Sequence, residues 1–181
     1  MAALVMLAAC NNTSKKSEAT AAAEQAPTQD TIVYEHEYLV KVGDMAPDFT
    51  LKYTDGNEFT LSALRGKVVT ASWCGICRGE MPHIESRIWQ PHKDNADFVL
   101  VGVDREETRE VVEEYTTKIG TTYPMLLDEK GDVFASYALR NSGITRNVLI
   151  DRDGRIVKLT RRFVEPEFND LVATIDSLLS K

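Results

Sequence analysis

The segment Trp73-Cys74-Gly75-Ile76-Cys77-Arg78-Gly79-Glu80-Met81-Pro82 contains two cysteines separated by two residues. Two thiols at this spacing can close a small disulfide ring and reopen it, or they can supply half of a metal site. Lys67–Ala71, just before the pair, has the apolar pattern of a strand. From Cys74 to about Trp89 the pattern is helical. The sequence therefore predicts that the cysteines lie where a strand passes into a helix.

A cysteine at the start of a helix is chemically activated. The first helical N–H groups have no partner and the macrodipole places partial positive charge there, so the thiol pKa falls below the free value of about 8.5. Only the thiolate attacks a disulfide. We therefore predict that Cys74 is the nucleophile and that Cys77, one turn later, resolves the mixed disulfide. The reaction is expected to need no cofactor beyond the two thiols.

Four neighbours are expected to support the pair. Trp73 could cover the sulfurs with an apolar ring, although it could also be an ordinary core aromatic. Gly75 permits a tight turn, and Ile76 provides a backbone N–H where many such sites have proline, which should shift the reduction potential. Glu80, if partly buried, could raise the pKa of the second cysteine or relay its proton. The alternative for Glu80 is a solvated helix carboxylate.

Two other uses of the cysteines are weighed against the redox site. Cys74, Cys77, His83 and His92 together contain the elements of a four-ligand zinc site, but their spacing matches no common zinc motif. His83 is also half a revolution round the helix from Cys74 and is not expected to be catalytic. A purely structural disulfide in so small a ring would remove little chain entropy. We therefore expect no metal here.

The composition fits one domain with extensions. The chain has 181 residues, of which 43% are hydrophobic, enough for one core. Its formal net charge is −7 and its pI is about 5.0. Because phosphate binding needs clustered Lys and Arg, this acidic balance argues against nucleic acid as a partner.

The amino end resembles a bacterial lipoprotein signal. Met1–Ala9 is apolar and small residues precede Cys10, which would become the lipidated residue of the mature protein. Nine residues are too few to span a bilayer, which needs about 20. With no Lys or Arg before the apolar run, residues 1–10 are interpreted as the remnant of a signal whose true start lies upstream. The alternative is that residues 1–10 are an ordinary N-terminal segment without a signal function.

The next segment is predicted to be a flexible linker over residues 11–41. Its first part is rich in Ala, Ser, Thr, Lys, Glu and Gln and has almost nothing to bury. Thr31–Val42 alternates and contains Tyr, Val and Ile, so it could form an edge strand. A lipid on Cys10 followed by such a linker would tether a domain spanning residues 42–181 to a membrane.

Strand and helix signals alternate through that domain. Asp55-Gly56 and Asp153-Gly154 each predict a hairpin. Asp97–Asp104 is a continuous apolar run typical of a strand in a sheet covered on both faces. Helical patterns cover Glu106–Ile119, with Val111 among its inward residues, and Glu165–Leu179. This order predicts an α/β sandwich with a mixed central sheet.

Several motifs together resemble the TlpA/ResA branch of the thioredoxin-like proteins, which is related to the AhpC/TSA proteins. The motifs are Val42–Phe49, Leu61–Val69, Ala71–Pro82 and Val148–Val157. The resemblance implies a thioredoxin-like three-layer sandwich with an inserted strand and helix at roughly Glu106–Leu127. It also implies a membrane-anchored thiol–disulfide oxidoreductase on the periplasmic side of the cell envelope. Such a protein would accept electrons from a membrane thiol donor and reduce, or exchange, the disulfides of envelope proteins.

The chain departs from that family at two places. The family usually has a cis-proline where this chain has Thr145, and a cis bond before another residue costs about 2.5–4 kcal/mol. Arg146, next along, could stabilise an anion near Cys74 or could be a surface arginine. The family also has about four more residues between Val69 and Trp73, so we expect a distorted or shortened strand before the cysteines and reduced stability.

Two further functions remain open at this stage. A thiol peroxidase of the AhpC/TSA type would need a threonine three residues before the nucleophile, where this chain has Ala71. An anchored thioredoxin-like binding module with vestigial cysteines would fit a damaged strand before the pair.

Overall fold

Seven strands form one mixed sheet in the computed structural model, which describes residues 35–73 and 79–181. The strands are β1 (Thr50–Tyr53), β2 (Glu58–Thr60), β3 (Val68–Trp73), β4 (Phe98–Arg105), β5 (Met125–Asp128), β6 (Arg146–Ile150) and β7 (Ile156–Arg161). Their order across the sheet is β2-β1-β5-β4-β3-β6-β7. The three strands β3, β4 and β5 run parallel, and every other pairing is antiparallel.

The helices lie between the strands in the sequence. They are α1 (Met81–Ile84), α2 (Gln90–His92), α3 (Arg109–Ile119), α4 (Asp132–Tyr137) and α5 (Glu165–Leu179), and a π-helical segment (Glu85–Trp89) joins α1 to α2. Short 3₁₀ turns occupy Glu35–Glu37 and Leu61–Leu64. None of the described helices is long and apolar enough to cross a membrane.

Each face of the sheet carries its own core, which makes three layers. Phe134 and Tyr137 of α4 pack with Tyr38 and Phe49 on one face, the first cluster. Residues of α1, α3 and α5 form the second cluster on the other face: Met81, Ile84, Val112, Phe168, Leu171 and Ile175. The continuous apolar pattern of β4 follows from this arrangement, because both faces of the strand are covered. The predicted α/β sandwich with a mixed sheet is confirmed.

Both predicted hairpins are confirmed, and so is the C-terminal helix. β1 pairs antiparallel with β2 around Asp55-Gly56, and β6 pairs with β7 around Asp153-Gly154. Gly56 and Gly154 have φ values of 92° and 84°, in the left-handed region that favours glycine. The segment predicted as an inserted strand and helix contributes α3 and β5. Val111 is 38% exposed, so its predicted inward position is wrong.

The expected distortion of the strand before the cysteines is absent. β3 has six buried residues and pairs regularly with β4 on one side and β6 on the other. Six residues is an ordinary strand length. Side chains alternate with a period of two, so a difference of four residues leaves every following side chain on its original face. A segment four residues shorter would therefore present its following side chains to the same faces of the sheet.

The residues of β3 nevertheless suit its position poorly. Thr70 and Ser72 are 0% and 1% exposed, and neither hydroxyl has a hydrogen-bond partner among the described residues. Both share a face with Val68, which packs in the second cluster. A buried hydroxyl without a partner costs about 1–3 kcal/mol. β3 is therefore regular but places two unpartnered hydroxyl groups in the core.

The helix predicted from Cys74 to about Trp89 is interrupted before Met81. Gly79 and Glu80 form a turn, and α1 starts at Met81, so a helix running without interruption from Cys74 is wrong. Pro82 lies in the first turn of α1, where its missing N–H costs nothing. Pro91 lies likewise in the first turn of α2, so the helical stretch continues past it to His92. Cys74–Arg78 lie outside the described residues.

The possible edge strand at Thr31–Val42 is also absent from its described part. Residues 35–37 form the 3₁₀ turn, and Tyr38 makes a single bridge with Ala138. Cys10 and the signal remnant lie outside the described residues.

Replacing Thr70 with valine should stabilise the protein. The Thr70→Val substitution keeps the shape and removes the buried hydroxyl, so the free energy of unfolding should rise by about 1 kcal/mol. Thr160→Val is the matched control, because the Thr160 hydroxyl accepts a hydrogen bond from Asn147 at 2.9 Å and its loss should destabilise the fold. Urea denaturation measures both changes. Destabilisation by Thr70→Val would contradict this account of β3.

Candidate active site

The candidate site lies where β3 ends at Trp73. The cysteines follow immediately in the chain, together with Gly75 and Ile76, and all four lie outside the described residues. Around the end of β3 the structure places the first residues of β6, the last residues of β4 and the turn before α1. The surroundings of the predicted redox pair can therefore be described from these three elements.

Glu80 is buried, three residues after Cys77. It is 2% exposed, and its Oε1 accepts a hydrogen bond of 2.8 Å from the Nδ2 of Asn147. The interpretation of Glu80 as a solvated helix carboxylate is wrong. Burial of a carboxyl group in contact with an amide is the environment that the predicted role beside Cys77 requires.

Asn147 links this carboxyl group to the sheet. It lies opposite Ser72 on β3, and its Nδ2 also donates to the hydroxyl of Thr160 on β7 at 2.9 Å. The Tyr38 hydroxyl donates to the carbonyl of Thr160 at 2.7 Å. Burial raises the pKa of Tyr38, against the opposing charge of Arg146, so the hydroxyl remains a donor at neutral pH. Through Asn147, the Glu80 carboxyl group is therefore connected to β6 and β7.

Trp73 packs in the first cluster. Its side chain is 1% exposed, and its ring centroid lies 4.9 Å from that of Tyr137 and 6.5 Å from that of Phe49. It is therefore a core aromatic that fixes the end of β3. Its predicted contact with the sulfurs stays a prediction, because the cysteines lie outside the described residues.

Arg146 is not a surface residue. It is 1% exposed and pairs with Trp73 across β6 and β3. Its guanidinium donates to the carbonyls of Gly143 and His36, at 3.0 and 2.7 Å, and to the Ser142 hydroxyl at 2.9 Å. It also lies 4.4 Å from the ring centroid of Tyr38. The surface interpretation is wrong, and these partners assign the side chain to holding residues 36–38.

The held segment is conformationally strained. His36 and Glu37 have φ values of 51° and 65°, a region that non-glycine residues rarely occupy. The Glu37 carboxylate lies 3.4 Å from Arg146, and the N–H of Leu39 donates to the carbonyl of Tyr137 at 2.8 Å. Such a backbone persists only where its surroundings over-determine it. The buried arginine supplies that restraint beside the end of β3.

Thr145 lies directly before β6. No peptide bond is cis in the described parts of the chain, so Thr145 does not reproduce the family's cis-proline geometry. Its carbonyl accepts a hydrogen bond from the N–H of Arg162 at 3.1 Å. This bond extends the β6–β7 hairpin by one residue pair toward the candidate site.

The histidines considered as zinc ligands have other contacts. His83 stacks on Phe163 with ring centroids 4.3 Å apart. The two ring nitrogens of His92 lie 2.8 Å from the Ile88 carbonyl and 2.9 Å from the Asp176 carboxylate. Both ring nitrogens of His92 therefore already have partners within the described residues.

Two polar residues near the end of β3 were not singled out from the sequence. Asn147 lies in an otherwise largely apolar strand next to Arg146. Nothing in the sequence indicated that its partner is Glu80 in the turn before α1. Asp104 ends the apolar run of β4 and is only 5% exposed. Burial raises its pKa to about 6, and the nearby Glu107 carboxylate adds to the shift. The one sequence signal for Asp104 was a charged residue at the end of an apolar strand.

Residues 41–175 match the Redoxin protein family. The chain belongs to this family. It is 31% identical over 124 residues to the thiol-disulfide oxidoreductase ResA of Geobacillus thermodenitrificans, covering 66% of this chain and 69% of that protein. The ResA protein of Geobacillus kaustophilus is also 31% identical, over 134 residues, covering 71% of this chain and 74% of that protein.

Solved structures agree with this assignment. The solution structure of a candidate protein disulfide isomerase from Bacteroides thetaiotaomicron is 56% identical, with a TM-score of 0.76, and covers 80% of this chain and 94% of that one. The thioredoxin domain of a thiol-disulfide oxidoreductase from Bacteroides vulgatus, at 24% identity and a TM-score of 0.64, covers 77% and 99% and shows the fold alone. The predicted thioredoxin-like fold and thiol–disulfide oxidoreductase activity are confirmed.

The alternative functions have less support in the site. Ala71 is buried in β3 and provides no hydroxyl at the position where a thiol peroxidase would need threonine. The binding-module hypothesis depended on a damaged strand, and β3 is regular.

Removing the guanidinium of Arg146 should release the strained segment. We expect Arg146→Met to lower the free energy of unfolding by about 2–4 kcal/mol, because the buried Ser142 hydroxyl and the part-buried carbonyls of His36 and Gly143 lose a charged donor. Arg140→Met is the matched control: Arg140 is half exposed and pairs with Asp132 at 2.6 Å, so its loss should cost less than about 1 kcal/mol. Denaturant titration measures both. Equal effects would contradict the role given to Arg146.

Proposed function

We propose that this oxidoreductase acts through Cys74 and Cys77, with Cys74 as the attacking thiol and Cys77 as the resolving thiol. Cys74 follows directly on the central strand β3, at the end where Glu80 is held by Asn147. The buried carboxyl group three residues after Cys77 is the observation that carries the proposal. A strand end between two neighbouring strands gives the first thiol a fixed point of attachment, and Glu80 gives the second a nearby proton acceptor.

The proposed reaction is a pair of thiol–disulfide exchanges. The Cys74 thiolate attacks one sulfur of a substrate disulfide, forming a mixed disulfide and releasing the other sulfur as a thiolate that takes up a proton. Cys77 then loses its proton and attacks the Cys74 sulfur. The substrate leaves with two thiols and the enzyme retains the Cys74–Cys77 disulfide. The same steps in reverse oxidise a substrate dithiol.

The substrates proposed are disulfides of proteins in the cell envelope, with electrons arriving from a membrane thiol donor. The sequence before the domain supports this location, because a small-residue stretch ends at Cys10 and a polar linker follows. A lipid on Cys10 would hold the domain at the membrane, with the linker setting its reach.

Trapping tests the roles of the two cysteines. A Cys77→Ser variant should accumulate substrate proteins on Cys74 as mixed disulfides, because the resolving thiol is missing. The adducts should appear on a non-reducing gel of envelope extracts and disappear on reduction. The double variant Cys74→Ser with Cys77→Ser is the control and should trap nothing. Trapping by Cys74→Ser but not by Cys77→Ser would reverse the assigned roles.

Phase partitioning tests the anchor. Expressed with its native leader in a bacterium that lipidates proteins, the chain should partition into the detergent phase of a cloud-point extraction. Cys10→Ser should move it to the aqueous phase, since acyl chains on Cys10 supply the apolar surface. Detergent partitioning that survives the Cys10→Ser change would contradict lipidation at this residue.

A further inference from the structure

The β6–β7 hairpin is the basic part of an acidic chain. Residues 140–162 contain seven Arg or Lys residues and two Asp, whereas the whole chain has a formal net charge of −7. Four of the seven basic side chains pair with carboxylates: Arg140, Arg146, Arg152 and Lys158. Arg155, just before β7, donates to the carbonyl of Gly43 at 3.0 Å. A basic patch on an acidic protein is a candidate surface for a partner of opposite charge.

The remaining two basic residues, Arg161 and Arg162, lie together at the other end of β7. Neither forms an ion pair within residues 35–73 and 79–181. Arg161 is the last residue of β7 and lies opposite Arg146, which in turn lies opposite Trp73. Cross-strand partners share a face of the sheet. The two arginines are therefore at the end of the sheet where β3 ends.

The fold holds the Arg161 side chain against the loop before β6. Its Nη1 donates to the carbonyl of Thr145 at 3.4 Å. Gly143 leaves space for the guanidinium, because a Cβ at this glycine would lie only 3.1 Å from the Cζ of Arg161. The arginine is partly buried there. One long hydrogen bond occupies only part of the donor capacity of a guanidinium, so Arg161 can donate to a further acceptor.

Arg162 is fixed to the same loop through its backbone. Its N–H donates to the carbonyl of Thr145 at 3.1 Å, and its φ of 67° lies in a region that non-glycine residues rarely occupy. Such a conformation persists only where the surroundings over-determine it. The residue is exposed. The Thr145 carbonyl therefore anchors two neighbouring arginines beside one loop.

This arrangement concentrates positive charge. Burial lowers the pKa of the Arg146 guanidinium, and the charge of Arg161 lowers it further. The Glu37 carboxylate lies 3.4 Å from Arg146 but forms no ion pair with Arg161 among the described contacts. An anion bound at Arg161 would offset the repulsion between the two guanidinium groups. In a protein partner the group best matched to a guanidinium is a carboxylate, which can accept two parallel N–H bonds.

We propose that Arg161 and Arg162 form a docking surface for acidic segments of the substrate proteins. Arg161 binds an Asp or Glu side chain of the segment, and the exposed Arg162 attracts a neighbouring acidic residue. Charge pairs at the edge of an interface select the partner and speed the encounter. The proposal rests on the function proposed above and narrows its substrates to disulfide proteins with acidic residues near the reactive disulfide.

Peptide binding tests the surface without the cysteine chemistry. The full chain carrying Cys74→Ser and Cys77→Ser is titrated by NMR with a glutamate-rich peptide and with the same peptide carrying glutamine instead. At low ionic strength the glutamate peptide should bind about three- to tenfold more tightly and shift the amide signals of Gly143, Thr145 and Arg162. The difference should vanish in about 1 M salt, where the Debye length is about 3 Å. Equal binding of both peptides at low salt overturns the proposal.

Variants assign the preference to the two arginines. Arg161→Gln with Arg162→Gln should bind both peptides equally. Arg152→Gln with Arg155→Gln is the matched control, because it removes the same charge from the far end of the hairpin, about 20 Å of strand away and beyond the Debye length of about 8–10 Å. The control should keep the preference for glutamate. Loss of the preference in both double variants, or its retention in both, overturns the proposal.

Charge reversal separates recognition from a structural role. Arg161→Glu with Arg162→Glu should prefer a lysine-rich peptide over the glutamate-rich one, since the sign of the surface is inverted. A merely structural pair of arginines would give weaker binding of every peptide without a reversed preference, and that result would overturn the docking surface.

Reduction of peptide disulfides separates this inference from the proposed function. Each peptide is given one cysteine and oxidised to its disulfide-linked dimer, and the reduced wild-type enzyme should reduce the glutamate-rich dimer about threefold faster or more. If neither dimer is reduced, or if Cys74→Ser reduces them equally fast, the proposed function fails, and the binding titration still decides the acidic-peptide surface. Reduction of both dimers through Cys74 at one rate leaves the function standing and overturns the docking surface.

Discussion

The structure depends on the placement of β3 between two strands and between two cores. Val69–Ser72 pair with strands on both sides, Val68 pairs with β4 and Trp73 with β6, and all six side chains are buried. A strand in this position has no freedom to slip, because a shift of one residue would exchange the two faces. The chain leaves Trp73 at a defined point, and the groups around that point are defined as well.

This constraint explains how the site can form from a poorly matched segment. Val69, Ala71 and Trp73 fill the first cluster, while Thr70 and Ser72 place hydroxyls in the second. The ladders and the surrounding apolar residues outweigh the cost of those hydroxyls. What matters for β3 is whether its length changes by an even or an odd number of residues. An even change keeps Trp73 on the face where it packs against Tyr137 and Phe49.

Much of the fold could be predicted because its signals are local. Glycine-containing turns indicated the hairpins, and apolar periodicity indicated β4 and α5 with nearly the observed bounds. The errors have a common cause, since each depended on contacts distant in sequence. Arg146 looked like a surface residue because its partner His36 lies 110 residues away. A turn at Gly79 and Glu80 interrupts the predicted helix, and Glu80 there is bonded to Asn147, 67 residues away in the sequence.

Attachment of residues 36–38 at Arg146 has a mechanical consequence. The chain enters the domain beside the last residue of β3, through the 3₁₀ turn at Glu35–Glu37, and a buried guanidinium holds it there. A pulling force on the chain before Glu35 would load the contacts of Arg146 and Tyr38 first. The hydrogen bonds between β3 and its neighbouring strands would carry the force only after the contacts of Arg146 and Tyr38 had broken.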